Sequence, residues 1–245
     1  SARKTMIDDV RSREKNVLLL DAGDIFQGTP YFNLFHGELE IKAMSMLGYD
    51  AGTLGNHDFD MGMENFALQN RYASFPFINS NYTTSDTPLQ GILHPYKIIR
   101  RGAIKVGILG LGIDLNGLVP FENYQGLLYQ NPITQATKYA NILKHDERCD
   151  IIIALSHLGY DYKDKKTISD IRIAQEVDNI DIILGGHTHT FLQCPKLIQK
   201  SEKKIVIVNQ VGFAGINLGR IDVYFDKEKN KIEKNESLLL KCQTK

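Results

Sequence analysis

The chain has 245 residues, enough for one large α/β domain with a well-buried core. Its 29 lysines and arginines are balanced by 29 aspartates and glutamates, so it lacks the cationic excess of proteins that bind phosphate backbones, which argues against nucleic acid as a bulk ligand. No apolar run approaches the roughly 20 residues of a membrane span, and Cys149, Cys194 and Cys242 sit in no zinc-knuckle spacing and cannot all pair within the chain.

The opening Ser-Ala-Arg-Lys has no initiator Met and already reads as helix, so residues 2–13 form the first predicted helix and the natural chain is expected to extend upstream. A strand follows over 17–20, then helices over 38–47 and 63–71, with a short apolar segment around 51–54 between them. Strands are predicted over 75–78, 96–99 and 104–109. A helix over 132–145 has Asn131 as its N-cap and Pro132 at the first helical position, where a missing N–H costs nothing. A strand over 151–155, a helix over 168–177 and strands over 182–184, 205–208 and 219–225 complete the pattern. Lysine-rich runs over 163–166, 200–204 and 227–234 read as solvated turns. Alternation of strands with helices argues for an α/β fold. The strands at 17–20, 151–155 and 182–184 are apolar on both faces, as strands covered by helices on one side and a second sheet on the other must be. The strands from residue 205 onward alternate more clearly and read as an antiparallel pair or edge.

Ligands of open α/β sheets collect beyond the carboxyl ends of the strands, and four such ends carry residues of metal-ligand type. They are Asp21-Ala22-Gly23-Asp24, Gly55-Asn56-His57-Asp58-Phe59-Asp60, Ser156-His157-Leu158-Gly159 and Gly185-Gly186-His187-Thr188-His189. Each alone is weak, because an Asp after a strand is usually a turn residue. Their coincidence at equivalent strand ends carries the weight. Imidazole, carboxylate and amide donors together suit zinc, manganese or iron, whereas calcium prefers an all-oxygen set. A carboxylate such as Asp24 can bridge two ions, the arrangement used for in-line phosphoryl transfer with a bridging hydroxide.

These strings, together with Ile25-Phe26-Gln27-Gly28, Asn209-Gln210-Val211-Gly212 and Leu218-Gly219-Arg220-Ile221-Asp222, resemble the successive signature blocks of the metallophosphoesterases, closest to the 5′-nucleotidase and 2′,3′-cyclic phosphodiesterase branch. The resemblance implies a four-layer α-β-β-α sandwich of the metallo-dependent phosphatase type with two mixed sheets, built as a single metallophosphatase domain over residues 1–245. It implies that Asp24 bridges two ions, that Asn56, His157 and His187 complete one site, and that His189 belongs to the other. His57 would act at the scissile phosphate and Asp60 would orient it, while Asp58 receives no catalytic part. The implied cofactors are two divalent ions, zinc, manganese or iron.

The sequence departs from the family pattern in two places. An Asp-x-His on a strand before the first helix is absent, which leaves one ion site incomplete; truncation, supply of the strand by another chain and loss of activity all remain open as explanations, and the helical start favours the first. The family's C-terminal nucleotide-binding domain is also absent, so a separate nucleotidase domain is a possible partner. Tyr31, Phe32 and Phe35 are either a substrate edge or ordinary helix contacts. The resemblance implies a phosphomonoesterase acting on a nucleotide or another small phosphoester, with export to the periplasm or cell surface. The alternatives are a cyclic phosphodiesterase or sulfur-ester hydrolase of the same branch, or a non-catalytic pseudo-phosphatase serving as a binding module.

Overall fold

A computed structural model describes residues 2–164, 166–202, 204–228 and 231–241. In chain order its helices are α1 (Ala2–Arg13), α2 (Pro30–Phe35), α3 (Glu38–Leu47), α4 (Gly62–Asn70), α5 (Pro132–Asn141) and α6 (Asp170–Glu176). Its strands are β1 (Leu20–Asp21), β2 (Ala51–Gly52), β3 (Phe77–Ile78), β4 (Tyr82–Thr83), β5 (Leu93–His94), β6 (Tyr96–Arg101), β7 (Ile104–Leu111), β8 (Leu128–Tyr129), β9 (Ile151–Ser156), β10 (Ile182–Gly185), β11 (Lys196–Ser201), β12 (Lys204–Asn209), β13 (Asn217–Asp226) and β14 (Lys231–Lys241).

Period-two alternation in the central strands sets the layering. On β9, Ile151, Ile153 and Leu155 enter one core and Ile152 and Ala154 another, and Ile182 and Ile183 of β10 divide in the same way. The first core lies between sheets, where these residues meet Ala51 and Ile78 of the smaller sheet and are joined by Leu20, Ile221 and Val223. The second lies under α5 and α6, through Ala136, Ala140, Ile173 and Ala174. A third covers the outer face of the smaller sheet, where Phe77 packs with Ile41 and Met44 of α3 and Phe66 of α4. Helices, sheet, sheet and helices therefore stack in four layers, as the sequence implied. Each fully buried aliphatic side chain in such a core contributes about 1.5–3 kcal/mol.

The expected pair of mixed sheets takes the form of a mixed six-stranded sheet, ordered β11-β12-β10-β9-β7-β6, and a four-stranded sheet, β1-β2-β3-β5, whose pairings are all parallel. The antiparallel pair expected from residue 205 onward is corrected. β12 lies parallel to β10 and antiparallel to β11, while β13 pairs with β14. β11 escapes sequence detection because it is an edge strand with polar, largely exposed residues. The run over 227–234 holds the start of β14 as well as a turn; Lys165, Lys203 and Cys242 lie outside the described residues.

Two helices also differ from expectation. α2 was not predicted, although Thr29 accepts from the Phe32 N–H as its N-cap and Pro30 opens it. The helix predicted over 132–145 is α-helical to Asn141 and ends in a π turn, Ile142–Asp146. Arg11 of α1 donates to the carbonyls of Leu47 and Gly48 at 2.6 Å each, closing the end of α3. No helix among the described residues is long and apolar enough to cross a membrane.

The Phe66 ring is fully buried and lies 4.9 Å from that of Phe77 and 5.8 Å from that of Phe26, centroid to centroid. Phe66→Ala is expected to cost about 3–5 kcal/mol through lost burial and a residual cavity, measured by urea unfolding.

Candidate metal centre

The carboxyl ends of both sheets meet, β1 and β2 bringing loops 21–28 and 53–60 and β9 and β10 bringing loops 157–160 and 186–190. The loop after β1 turns through left-handed backbone at Gly23 (φ 88°) and Asp24 (φ 59°). It is held there by Asp58, whose side chain is almost wholly buried. Asp58 Oδ2 accepts from the N–H groups of Asp24 at 3.0 Å and Gly55 at 2.8 Å, and Oδ1 from those of Ile25 at 3.0 Å and Phe26 at 3.2 Å. Burial first, and then the neighbouring Asp24 charge, push its pKa up to about 7 despite these amide donors. Sequence reasoning gave Asp58 no role. It is the clamp between the two loops.

Ligand atoms of Asp24, His157 and His187 all lie within 4.8 Å of one another. His157 is buried and donates from Nδ1 to the Ala22 carbonyl at 2.6 Å, which leaves Nε2 with its lone pair. That Nε2 lies 2.9 Å from Asp24 Oδ2 without hydrogen-bonding alignment, and so is a buried nitrogen lacking a hydrogen-bond partner. His187 Nδ1 lies 2.9 Å from Asn56 Oδ1. Both separations match the edge of about 3 Å between adjacent ligands on a divalent ion with bonds near 2.1 Å. Burial opposes charge on both members of the Asp24–His157 pair, but their contact prevails, holding the Asp24 carboxyl below its ordinary range and the His157 imidazole above its own. For His187, burial and then the neighbouring His157 depress the pKa to about 4, keeping the ring neutral as metal ligation requires. A Cβ at Gly55 would sit 2.2 Å from Asp24 Oδ1 and 2.6 Å from the His157 ring, so only glycine fits beneath the cluster. The donor set and the partnerless Nε2 fit a divalent ion.

Beside the cluster, the His57 N–H donates to Asp24 Oδ1 at 2.8 Å and His57 Nδ1 lies 2.9 Å from Asp60 Oδ2. Of the site residues taken from sequence, Asp24, His157 and His187 form the cluster, Asn56, His57 and Asp60 are tied to it through close polar contacts, and His189 belongs to neither group. Its ring stacks on Phe213, centroids 5.0 Å apart and planes 24° from parallel. Sequence reasoning gave two supporting residues no role: Gln210 was quoted only within its family block, and Asp170 not at all. Gln210 donates from Nε2 to the Gly186 carbonyl at 2.6 Å and accepts from Thr188 Oγ1 at 3.0 Å, bracing the histidine loop. Asp170, fully buried below β9 and β10, accepts from Ser156 Oγ. An acceptor amide directly after β12 and an acid opening a helix were the available signals. Phe32 is buried, whereas Tyr31 and Phe35 are exposed.

The chain matches the model of the calcineurin-like phosphoesterases over residues 1–191. It is 34% identical to the snake venom 5′-nucleotidase of Gloydius brevicauda, over 97% of the chain and 42% of that protein. It is 31% identical to the trifunctional nucleotide phosphoesterase protein YfkN of Bacillus subtilis, over 97% of the chain and 18% of that protein. Among solved structures, a 5′-nucleotidase precursor from Thermus thermophilus superposes with a TM-score of 0.85 at 31% identity, covering 98% of the chain and 48% of that structure. The chain spans less than half the length of each.

Two outcomes follow from the buried acids. Asp58→Asn keeps the shape but sets an NH₂ against two backbone N–H donors whichever way it turns, an expected loss of about 2–4 kcal/mol by urea unfolding. Burial raises the Asp170 pKa from 3.8 to about 8. A pKa raised by folding contributes stability that is complete below the unfolded value and is lost as pH climbs through the folded one. The Asp170 contribution to the melting temperature of the metal-free chain is therefore expected to fall between about pH 4 and 8, read as the difference from Asp170→Asn, which mimics the protonated acid and lacks that fall.

Proposed function

The chain belongs to the calcineurin-like phosphoesterase family, and on that premise we propose that it is a metallophosphatase domain over residues 1–245 that hydrolyses phosphomonoesters, with 5′-nucleotides as the leading substrates. The carrying observation is the cluster of Asp24, buried His157 and half-buried His187 with the His57–Asp60 pair attached to it through the His57 N–H. Asp24, Asn56, His157 and His187 would hold one divalent ion, and Asp24 and His189 would serve a second, of zinc, manganese or iron. When bound, such ions polarise phosphoryl oxygens and make water acidic enough to be a nucleophile near neutral pH.

The residues divide the remaining work. Asp60 accepts from His57 Nδ1, which leaves Nε2 of the partly exposed ring unengaged by the carboxylate. From that nitrogen a proton reaches the leaving oxygen, the general-acid half of ester hydrolysis. The left-handed loop clamped by Asp58 keeps Asp24 facing His157 across the two sheets, so the phosphate meets a preorganised site.

Expression with manganese or zinc and assay on AMP, an aryl phosphate, a 2′,3′-cyclic nucleotide and a thiosulfate ester tests this reading. Fastest turnover is expected on the monoesters. His57→Asn is expected to lower turnover about 10²- to 10⁴-fold with metal content unchanged, whereas a binding module would lose nothing measurable.

A further inference from the structure

Gln27 stands in the left-handed region at φ 75° although it carries a side chain, a conformation that costs a non-glycine residue on the order of 1 kcal/mol. Gly28 follows it at φ 82°, and a Cβ there would meet nothing within 4 Å, so crowding does not force the turn. The strained backbone delivers one contact. Gln27 Nε2 donates to Asp60 Oδ2 at 2.8 Å, the same oxygen that lies 2.9 Å from His57 Nδ1. The amide is oriented for this, because its Oε1 accepts from the Gly28 N–H at 3.3 Å and turns the NH₂ towards Asp60. The other side of Asp60 is held by its backbone carbonyl, which accepts from Asn123 Nδ2 at 3.0 Å.

We propose that Gln27 is a positioning residue for the phosphoester reaction, holding the Asp60 carboxylate in the rotation that receives His57 and so aiming the imidazole at the leaving oxygen. The proposal rests on the reading of His57 and Asp60 above and extends it to a third member. Asp60 is reached from a neighbouring turn of the backbone by His57, three residues before it, so the carboxylate can swing about its own side-chain bonds unless a second donor holds it. Gln27 supplies that donor from the loop that carries Asp24. The dyad and the metal cluster thereby become one body, since the same loop carries Asp24 and ends at Gln27. Strain retained at one side chain that serves one hydrogen bond is the expected mark of a functional constraint.

The test is a double-mutant cycle on the metal-loaded chain. Gln27→Gly relieves the backbone and removes the donor, Gln27→Met removes the donor at nearly equal length, and each is made alone and with Asp60→Ala. Loss of a hydrogen bond to a charged group predicts a fall in kcat on the order of 10- to 100-fold with KM little changed. It predicts no further fall in the Asp60→Ala background and a melting temperature for Gln27→Gly at or above that of the parent. Unchanged kcat, or an equal fall in both backgrounds, overturns the proposal. If the parent chain itself shows no turnover while metal is bound, the phosphatase reading fails first, and nitrogen-edited NMR of His57 then decides the contact: a single Nδ1–H tautomer that Gln27→Gly leaves intact overturns it, and one that gives way to a mixture supports it.

Discussion

Asp24 and His157 come from different sheets, and the 2.9 Å between Asp24 Oδ2 and His157 Nε2 is the point where the two halves of the sandwich are joined in chemistry as well as packing. In water an acid and an imidazole so placed would hydrate. Here both are enclosed, His157 with only 1% of its side chain exposed, and the carboxylate is kept ionised by the ring opposite it. Nothing near the pair is neutral to it. The Ala22 carbonyl sets the tautomer of His157, Gly55 leaves the space, and Asp58 holds the loop that carries Asp24. A divalent ion is what such a converging, under-bonded group of donors is built to receive.

The backbone records the same constraint. Among the described residues, the non-glycine positions with left-handed φ include Asp24, Gln27, His187 and His189, all within the loops of the site. Strain of this kind persists only where the surroundings over-determine it. The surroundings are the two apolar cores flanking β9 and β10, which keep the strand ends from moving when the loops twist. Rigid strands with strained loops at their carboxyl ends give a site that needs little reorganisation when an anionic substrate arrives.

Much of this was legible in the residues. Strands apolar on both faces announced a sheet buried between layers, and the four polar strings at strand ends named Asp24, Asn56, His57, Asp60, His157 and His187 as neighbours. What sequence could not give was direction in irregular backbone. Asp58 stands between His57 and Phe59 in a short 3-10 turn, and no periodicity tells that its carboxylate points back under four N–H groups. Gln27 was hidden for the same reason, since a left-handed φ at a glutamine has no signature in composition. The pairing of β12 was misread because its edge partner β11 is polar and lacks the alternation that marks a half-buried strand.

The most direct measurement is the number of ions retained per chain after loading with manganese or zinc and removal of free metal, by elemental analysis of the parent and of His157→Ala. At least one retained ion per chain, lost in the variant, is the predicted result. A parent chain that retains none, or a variant that retains as much as the parent, would mean that the cluster around His157 is a polar knot within the fold rather than a metal centre.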